Sequence, residues 1–293
     1  MKIPLLIALW SSLAVWSGPA VAQTSVPGSD QVRVVFGPPA TPQHESIRNE
    51  LLQRGVLERL SRLLSPLRLP RTLTLEVRGC NGRAGAFYSE DVATLCYEYV
   101  ELIQKHSPKV AAPGGVGRSD VMVANVMDTL LHEVGHAVFE MLEIPVFGRE
   151  EDAADFFSAY ILLQFAHEDA RRLIIGVAFM LAREAKEAET EGTEPSTFAD
   201  SHGLPAQRFF NLLCMAYGAK PEAFSKALSV GQLPNDRAEG CGDEYAALER
   251  AFRKLILPHL DETRFRTAVA ETRFDWRPLV TATESIDPPP LAR

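Results

Sequence analysis

The 293-residue sequence holds no basic stripe, no Cys-x-x-Cys pair and, after its first 22 residues, no long apolar run. Each absence removes a class of function. With 30 Lys and Arg against 38 Asp and Glu the formal charge is -8, and a surface of that sign repels polyanions, so nucleic acid is not an expected partner. Cysteines without close pairing do not read as zinc thiolates. Lacking a second apolar segment of ~20 residues, the chain beyond its leader has no expected membrane span. The tetrapeptide Glu-Thr-Arg-Phe occurs twice, ending at Phe265 and Phe274, but two copies of so short a string do not make a solenoid.

What is present begins with the leader. Lys2, an apolar stretch from Ile3 to Trp16 and the small-residue pattern Ala20-Val21-Ala22 read as a signal peptide over 1–22. Ser11, Ser12, Ser17 and Pro19 interrupt it too often for an anchor. Its removal from 293 residues leaves 271, takes away Lys2 and brings the charge to -9, in a chain expected to be secreted or periplasmic. All 4 cysteines follow the leader, so two disulfides are expected in an oxidising compartment. Three pairings are open. Cys80 with Cys96 and Cys214 with Cys241 is preferred, because each pair brackets a short stretch.

Periodicity gives a coarse map. Gln23 to Asp30 reads as a polar linker and Gln31 to Phe36 as a strand before the breaker Gly37-Pro38-Pro39. A helix is predicted over Glu45 to Leu64, a half-buried strand at Leu73, Leu75 and Val77, and an extended stretch over Ala86 to Cys96 turning near Glu90-Asp91. Pro113-Gly114-Gly115 marks a loop, and Val121 to Leu142 reads as a long helix. Further helices are predicted over Glu150 to Phe165, His167 towards Glu189, Pro205 to Tyr217 and Asp243 to Leu257, with an acidic loop at Glu187 to Ser196. The expected fold is α+β in one domain over 23–293: a small N-terminal sheet packed on the long helix (about 30–145), a mainly helical second half (about 146–275), and a disordered tail (about 285–293).

The long helix carries the chemistry. It is almost wholly apolar, yet Asn125, Thr129, His132, His136 and Glu140 fall on one stripe, which implies a face turned to a cleft. In His132-Glu133-Val134-Gly135-His136 the two imidazoles project one turn apart, so both can reach one cation. Glu133 sits beside the first, placed for general-base work on water, and Gly135 would let another backbone or a substrate come close. Two histidines leave a tetrahedral ion short of a protein ligand. Fourteen residues after His136 the chain enters a second helix, which carries Glu151 and Asp155, again one turn apart. Glu151 is assigned as third zinc ligand, and Asp155 as acceptor of the spare ring N–H of a ligating His. Glu150, Asp152 or Asp155 remain alternatives for the ligand, since helix-start register is loose. The plainer reading is that these are solvated first-turn acids facing the helix dipole.

With His132, Glu133, His136, Glu151 and Asp155 in this order, the sequence resembles the gluzincin metallopeptidases, thermolysin-like enzymes with a helical His-Glu-x-x-His and a Glu-x-x-x-Asp segment. Over roughly residues 30 to 260 it is similar to a bacterial metallopeptidase family of unknown function. Ala86-Phe87-Tyr88, Leu95-Cys96-Tyr97-Glu98, Gly148 to Asp155, and Gln207 to Asn211 leading to Cys214 and Tyr217-Gly218 carry that similarity. The resemblance implies a zincin-like fold, a peptide or protein substrate and a downstream His that stabilises the oxyanion. His202, in Asp200-Ser201-His202, is the candidate, with Tyr88 a weaker one and helix capping by Asp200 and Ser201 as the plainer reading. Arg208 is weighed between a substrate carboxylate and a surface ion pair. Such enzymes often carry Asn before Ala-Phe-Tyr, where this chain has Gly85. The rival to zinc-dependent peptide hydrolysis is a non-catalytic extracytoplasmic zinc-binding protein on the same scaffold.

Overall fold

Alternating branched residues set the sheet. In β2 (Val32–Phe36) Val32, Val34 and Phe36 are buried, and in β3 (Leu73–Arg78) Leu73, Leu75 and Val77 are fully enclosed. The period of two puts one face of each strand in the core. With β1 (Thr24–Val26), β4 (Ala86–Ser89) and β5 (Val92–Cys96) they form a five-stranded sheet in the order β1-β2-β3-β5-β4. The inner pairs are parallel, with Val34 opposite Leu75 and Leu75 opposite Ala93. Both outer strands are antiparallel to their neighbours. This computed structural model describes residues 24–26, 31–107, 116–192 and 194–276. The leader, the Pro113-Gly114-Gly115 loop and the tail lie outside them.

Parallel β2 and β3 need a crossover, supplied by α1 (Pro42–Arg54) and α2 (Val56–Leu64). The single helix expected over 45–64 is therefore two. Gly55 adopts φ 58 between them and its N–H caps carbonyls of α1, a conformation glycine takes without a Cβ penalty. The expected polar linker holds β1, which pairs with Val34 to Phe36. At the β4–β5 hairpin Glu90 and Asp91 both have positive φ, 51 and 64, the backbone of a primed two-residue turn whose twist suits antiparallel strands. Straight after β5 the chain turns into α3 (Tyr97–His106), which the sequence map lacks.

α4 (Arg118–Met141) runs through the middle of the molecule. It packs against β4 and β5 on one side and against α5 (Glu150–Leu162) and α6 (His167–Glu191) on others. A helix apolar nearly all round is buried nearly all round, and one hydrophobic core reaches from Val32 in β2 to Phe265 near the C-terminal end. The expected loop at 187–196 is helix as far as Glu191, then a short 3-10 turn at Pro195–Ala199. Ion pairs Arg183–Glu187 and Lys186–Glu189 lie along that last stretch, at spacings that support helix despite the acidic composition.

α7 (Pro205–Ala219), α8 (Pro221–Ser229), α9 (Asn235–Ala238), α10 (Cys241–Leu255) and α11 (Glu262–Glu271) complete the chain. Cys80 is bonded to Cys96 and Cys214 to Cys241, with Cα separations of 5.5 and 5.0 Å. The first bridge closes the loop that leads into β4; the second ties α7 to α10. These are the preferred pairings, and among the described residues no cysteine is free. None of the described helices is long and apolar enough to cross a membrane.

Candidate metal centre

Helical spacing brings His132 and His136 to one face of α4, and α5 is laid across that face because Gly135 lets it. A Cβ on Gly135 would lie 3.2 Å from Ala154 Cα and 3.3 Å from Ala154 Cβ. The close approach anticipated at this glycine is thus made by α5. It aims the first turns of α5 at the two imidazoles.

Three ligand-type atoms converge there. His132 Nε2 lies 3.0 Å from Glu151 Oε2 and 3.2 Å from His136 Nε2, and His136 Nε2 lies 3.3 Å from the same carboxylate oxygen. A tetrahedral zinc with bonds of 2.0 to 2.1 Å holds its ligand atoms about 3.3 Å apart, so these side chains fit such an ion as they stand. Each imidazole is gripped by a carboxylate on its other nitrogen: His132 Nδ1 meets Asp155 Oδ1 at 2.9 Å, and His136 Nδ1 meets Glu150 Oε1 at 2.7 Å. With Nδ1–H donated to a carboxylate, Nε2 is the nitrogen left to face a cation. Glu150, weighed from sequence as an alternative ligand, holds His136 instead. Asp152 pairs with Arg149.

The electrostatics call for positive charge. Burial opposes a charge on His132, but Asp155 and Glu151 outweigh it and hold the imidazole at about 9. The hydrogen bond from His132, with the other nearby imidazoles, pulls Glu151 down to about 2. Asp155 stays well below the usual carboxylate range: burial would raise it, and His132 and Arg208 override that. Glu133 behaves differently. It is buried, and desolvation raises its carboxyl although His132, His136 and His202 act on it in the other direction, a setting suited to taking up a proton.

His202 joins the cluster from the far side. Its Nε2 lies 2.9 Å from Glu151 Oε2, and its ring stacks on His132 with centroids 5.7 Å apart. Ligand atoms of His132, Glu151 and His202 lie within 4.8 Å of one another, so these three could hold a metal ion. Asp200 accepts from the backbone N–H of His202 at 2.8 Å, and the His202 carbonyl takes Arg149 Nη1 at 3.3 Å. The segment is a pinned loop ahead of α7, which starts only at Pro205. Asp200 thus caps this loop, not the helix.

Other candidates are placed elsewhere. Tyr88 turns its hydroxyl to Asp91 at 3.5 Å, beside Glu140, and burial between these acids lifts it to about 12. Arg208 is committed to Asp155, at 2.7 Å from each carboxylate oxygen, so neither a substrate carboxylate nor a surface ion pair describes it. The polar stripe does not face one cleft throughout. Asn125 is buried and donates to the Gly176 carbonyl of α6 at 2.9 Å, while Glu140 pairs with Arg71. Gly85 stands in open space, with no atom within 4 Å of a Cβ built there.

Sequence reasoning missed two participants: Glu150 as the partner of His136, and Arg208 as the partner of Asp155. For Glu150 a signal existed, since it stands next to Glu151 at the helix start. For Arg208 none did, because its contact spans 53 residues. No curated protein and no solved structure matches this chain. A family model matches residues 36–256, three quarters of the sequence and the whole of the centre described above, and so the chain belongs to the family described as "Putative metallopeptidase".

Proposed function

We propose that this protein is an extracytoplasmic, zincin-like zinc peptidase of the gluzincin type, in which His132, His136 and Glu151 hold the ion and Glu133 is the general base. The observation that carries this reading is the convergence of His132 Nε2, His136 Nε2 and Glu151 Oε2 at 3.0 to 3.3 Å. Bound there, zinc supplies Lewis-acid polarisation of a peptide carbonyl and acidifies water to a pKa of about 7.

The chain's own residues do the rest. Glu133 takes the proton of the attacking water on its carboxylate and delivers it to the departing amine nitrogen. His202 presents Nε2–H to the oxygen on which negative charge develops. Asp155 and Glu150 keep the two ring orientations fixed. β4 pairs with β5 on one side only among the described strands, so an extended peptide can add along its other edge through main-chain hydrogen bonds. Two disulfides fit an oxidising compartment.

One observation favours a second reading. The Nε2 of His202 shares Glu151 Oε2 with both α4 histidines, so a fourth protein ligand would close the centre into a structural site without catalysis. Glu133→Ala separates the two. A peptidase keeps its zinc and loses chelator-sensitive peptide cleavage; unchanged cleavage in that variant overturns the peptidase mechanism, and wild-type protein that binds zinc but cleaves nothing in a peptide library supports the closed site.

A further inference from the structure

His132 is held by a chain of contacts that starts on a third helix. Arg208 of α7 meets Asp155 of α5 with Nε on Oδ2 and Nη2 on Oδ1, both at 2.7 Å, and Oδ1 in turn accepts from His132 Nδ1 at 2.9 Å. Both guanidinium contacts fall on one carboxylate, a fork-to-fork pairing that fixes the plane of the acceptor as well as its distance. Arg208 and Asp155 are each only a quarter exposed, so water screens this pair weakly.

The surroundings leave Asp155 dependent on that cation. Two more partly buried acids act on Arg208, Asp128 and Glu184. Asp128 is partnered by the Ser158 hydroxyl at 2.6 Å, and burial drives its carboxyl up to about 6. Asp155 therefore shares its guanidinium with two other carboxyl groups, and the two-point grip of Arg208 is what holds its plane toward His132 Nδ1. α7 also begins directly after the loop that carries His202, and a Cβ on Gly203 would touch Arg208 Cγ at 3.5 Å.

We infer that Arg208 is a positioning residue of the metal centre, acting through Asp155 to aim the Nε2 of His132 at the ion. This rests on the reading of His132, His136 and Glu151 as ligands. Arg208 touches neither ion nor substrate in this role. Removal of such an outer partner typically weakens metal binding by about 10- to 100-fold.

The test is a double-variant cycle read as zinc affinity by chelator competition. Wild type, Arg208→Met, Asp155→Asn and the double variant are compared, with thermal unfolding recorded for each. If Arg208 acts through Asp155, each single change weakens zinc binding by about 10- to 100-fold, and the double change weakens it no further than the larger single one. A residue that merely glues α7 to α5 gives losses that multiply, or gives none, and either result overturns the inference. Should Arg208→Met fail to fold, Arg208→Lys replaces it. A lysine keeps the charge but not the fork, so weakened zinc binding at normal stability supports the inference and wild-type affinity overturns it. Wild type that binds no zinc removes the ligand assignment and this inference together, whereas wild type that binds zinc alongside an unaffected Arg208 variant removes only the latter.

Discussion

Glu150 Oε1 lies 2.7 Å from Nδ1 of His136, and this pair does for the second imidazole what Asp155 does for the first. The two partners differ in setting. Glu150 is more than half exposed, while Asp155 is a quarter exposed and braced by Arg208. Water can replace Glu150 as acceptor. Glu150→Gln should accordingly weaken zinc binding by less than Asp155→Asn, for which a loss of about 10- to 100-fold is expected. Chelator competition on the two variants checks the order, and equal losses would show that exposure does not grade these partners.

Zinc affinity should climb with pH. In the metal-free protein His132 is raised from 6.5 to about 9, so below that value a proton competes for the nitrogen the metal needs. Zinc titrations at fixed ionic strength between pH 6 and 9 should show affinity rising and then levelling. A flat profile would mean that the proton on His132 is not displaced.

The metal-free protein carries the opposite dependence in its stability. A raised His132 contributes stability that is whole below 6.5 and disappears as pH climbs through about 9. A depressed Glu151 contributes stability that is whole above 4.5 and disappears as pH falls through about 2. Chelator-treated protein should thus gain most from this cluster between pH 4.5 and 6.5. Melting temperature against pH is the measurement, with His132→Ala expected to flatten the alkaline decline.

His202→Ala should leave zinc in place and lower kcat by about 100- to 1000-fold, the usual cost of losing one oxyanion donor. KM should change little. Loss of zinc from this variant would instead mark His202 as a ligand of a closed centre.

Gly135→Ala tests the approach of α5 to α4. The added methyl would press on Ala154 at 3.2 to 3.3 Å, and overpacking of this kind costs about 1 to 3 kcal/mol. Because Ala154 moves with Glu151 and Asp155 on α5, zinc affinity should fall together with melting temperature. A variant that loses stability but keeps full affinity would show that α5 carries its ligands independently of this contact.

Much of the candidate centre is legible in spacing alone, since it is built from i, i+4 pairs: His132 with His136 on α4 and Glu151 with Asp155 on α5 lie one turn apart. What spacing cannot show is how a helix is rotated against its neighbours. Asn125 shares the stripe of the histidines yet meets α6, because successive turns of a central helix face different partners. The break at Gly55 was overlooked for a related reason: apolar periodicity continues through a single left-handed residue. α3 was hidden because Cys96-Tyr97 reads equally well as the end of a strand. Arg208 reaches Asp155 only once α7 is packed on α5.

The burial of α4 has an outcome for how the protein can diversify. Its histidines are anchored in a helix that cannot shift without disturbing the core, whereas the 3-10 turn Pro195–Ala199 ahead of His202 has no buried residue. Substitutions in that turn should be nearly free of folding cost. On the proposed peptidase reading, selectivity can therefore be altered in this turn while the α4 histidines stay as they are, and a library restricted to 194–199 is the place to seek new cleavage preferences.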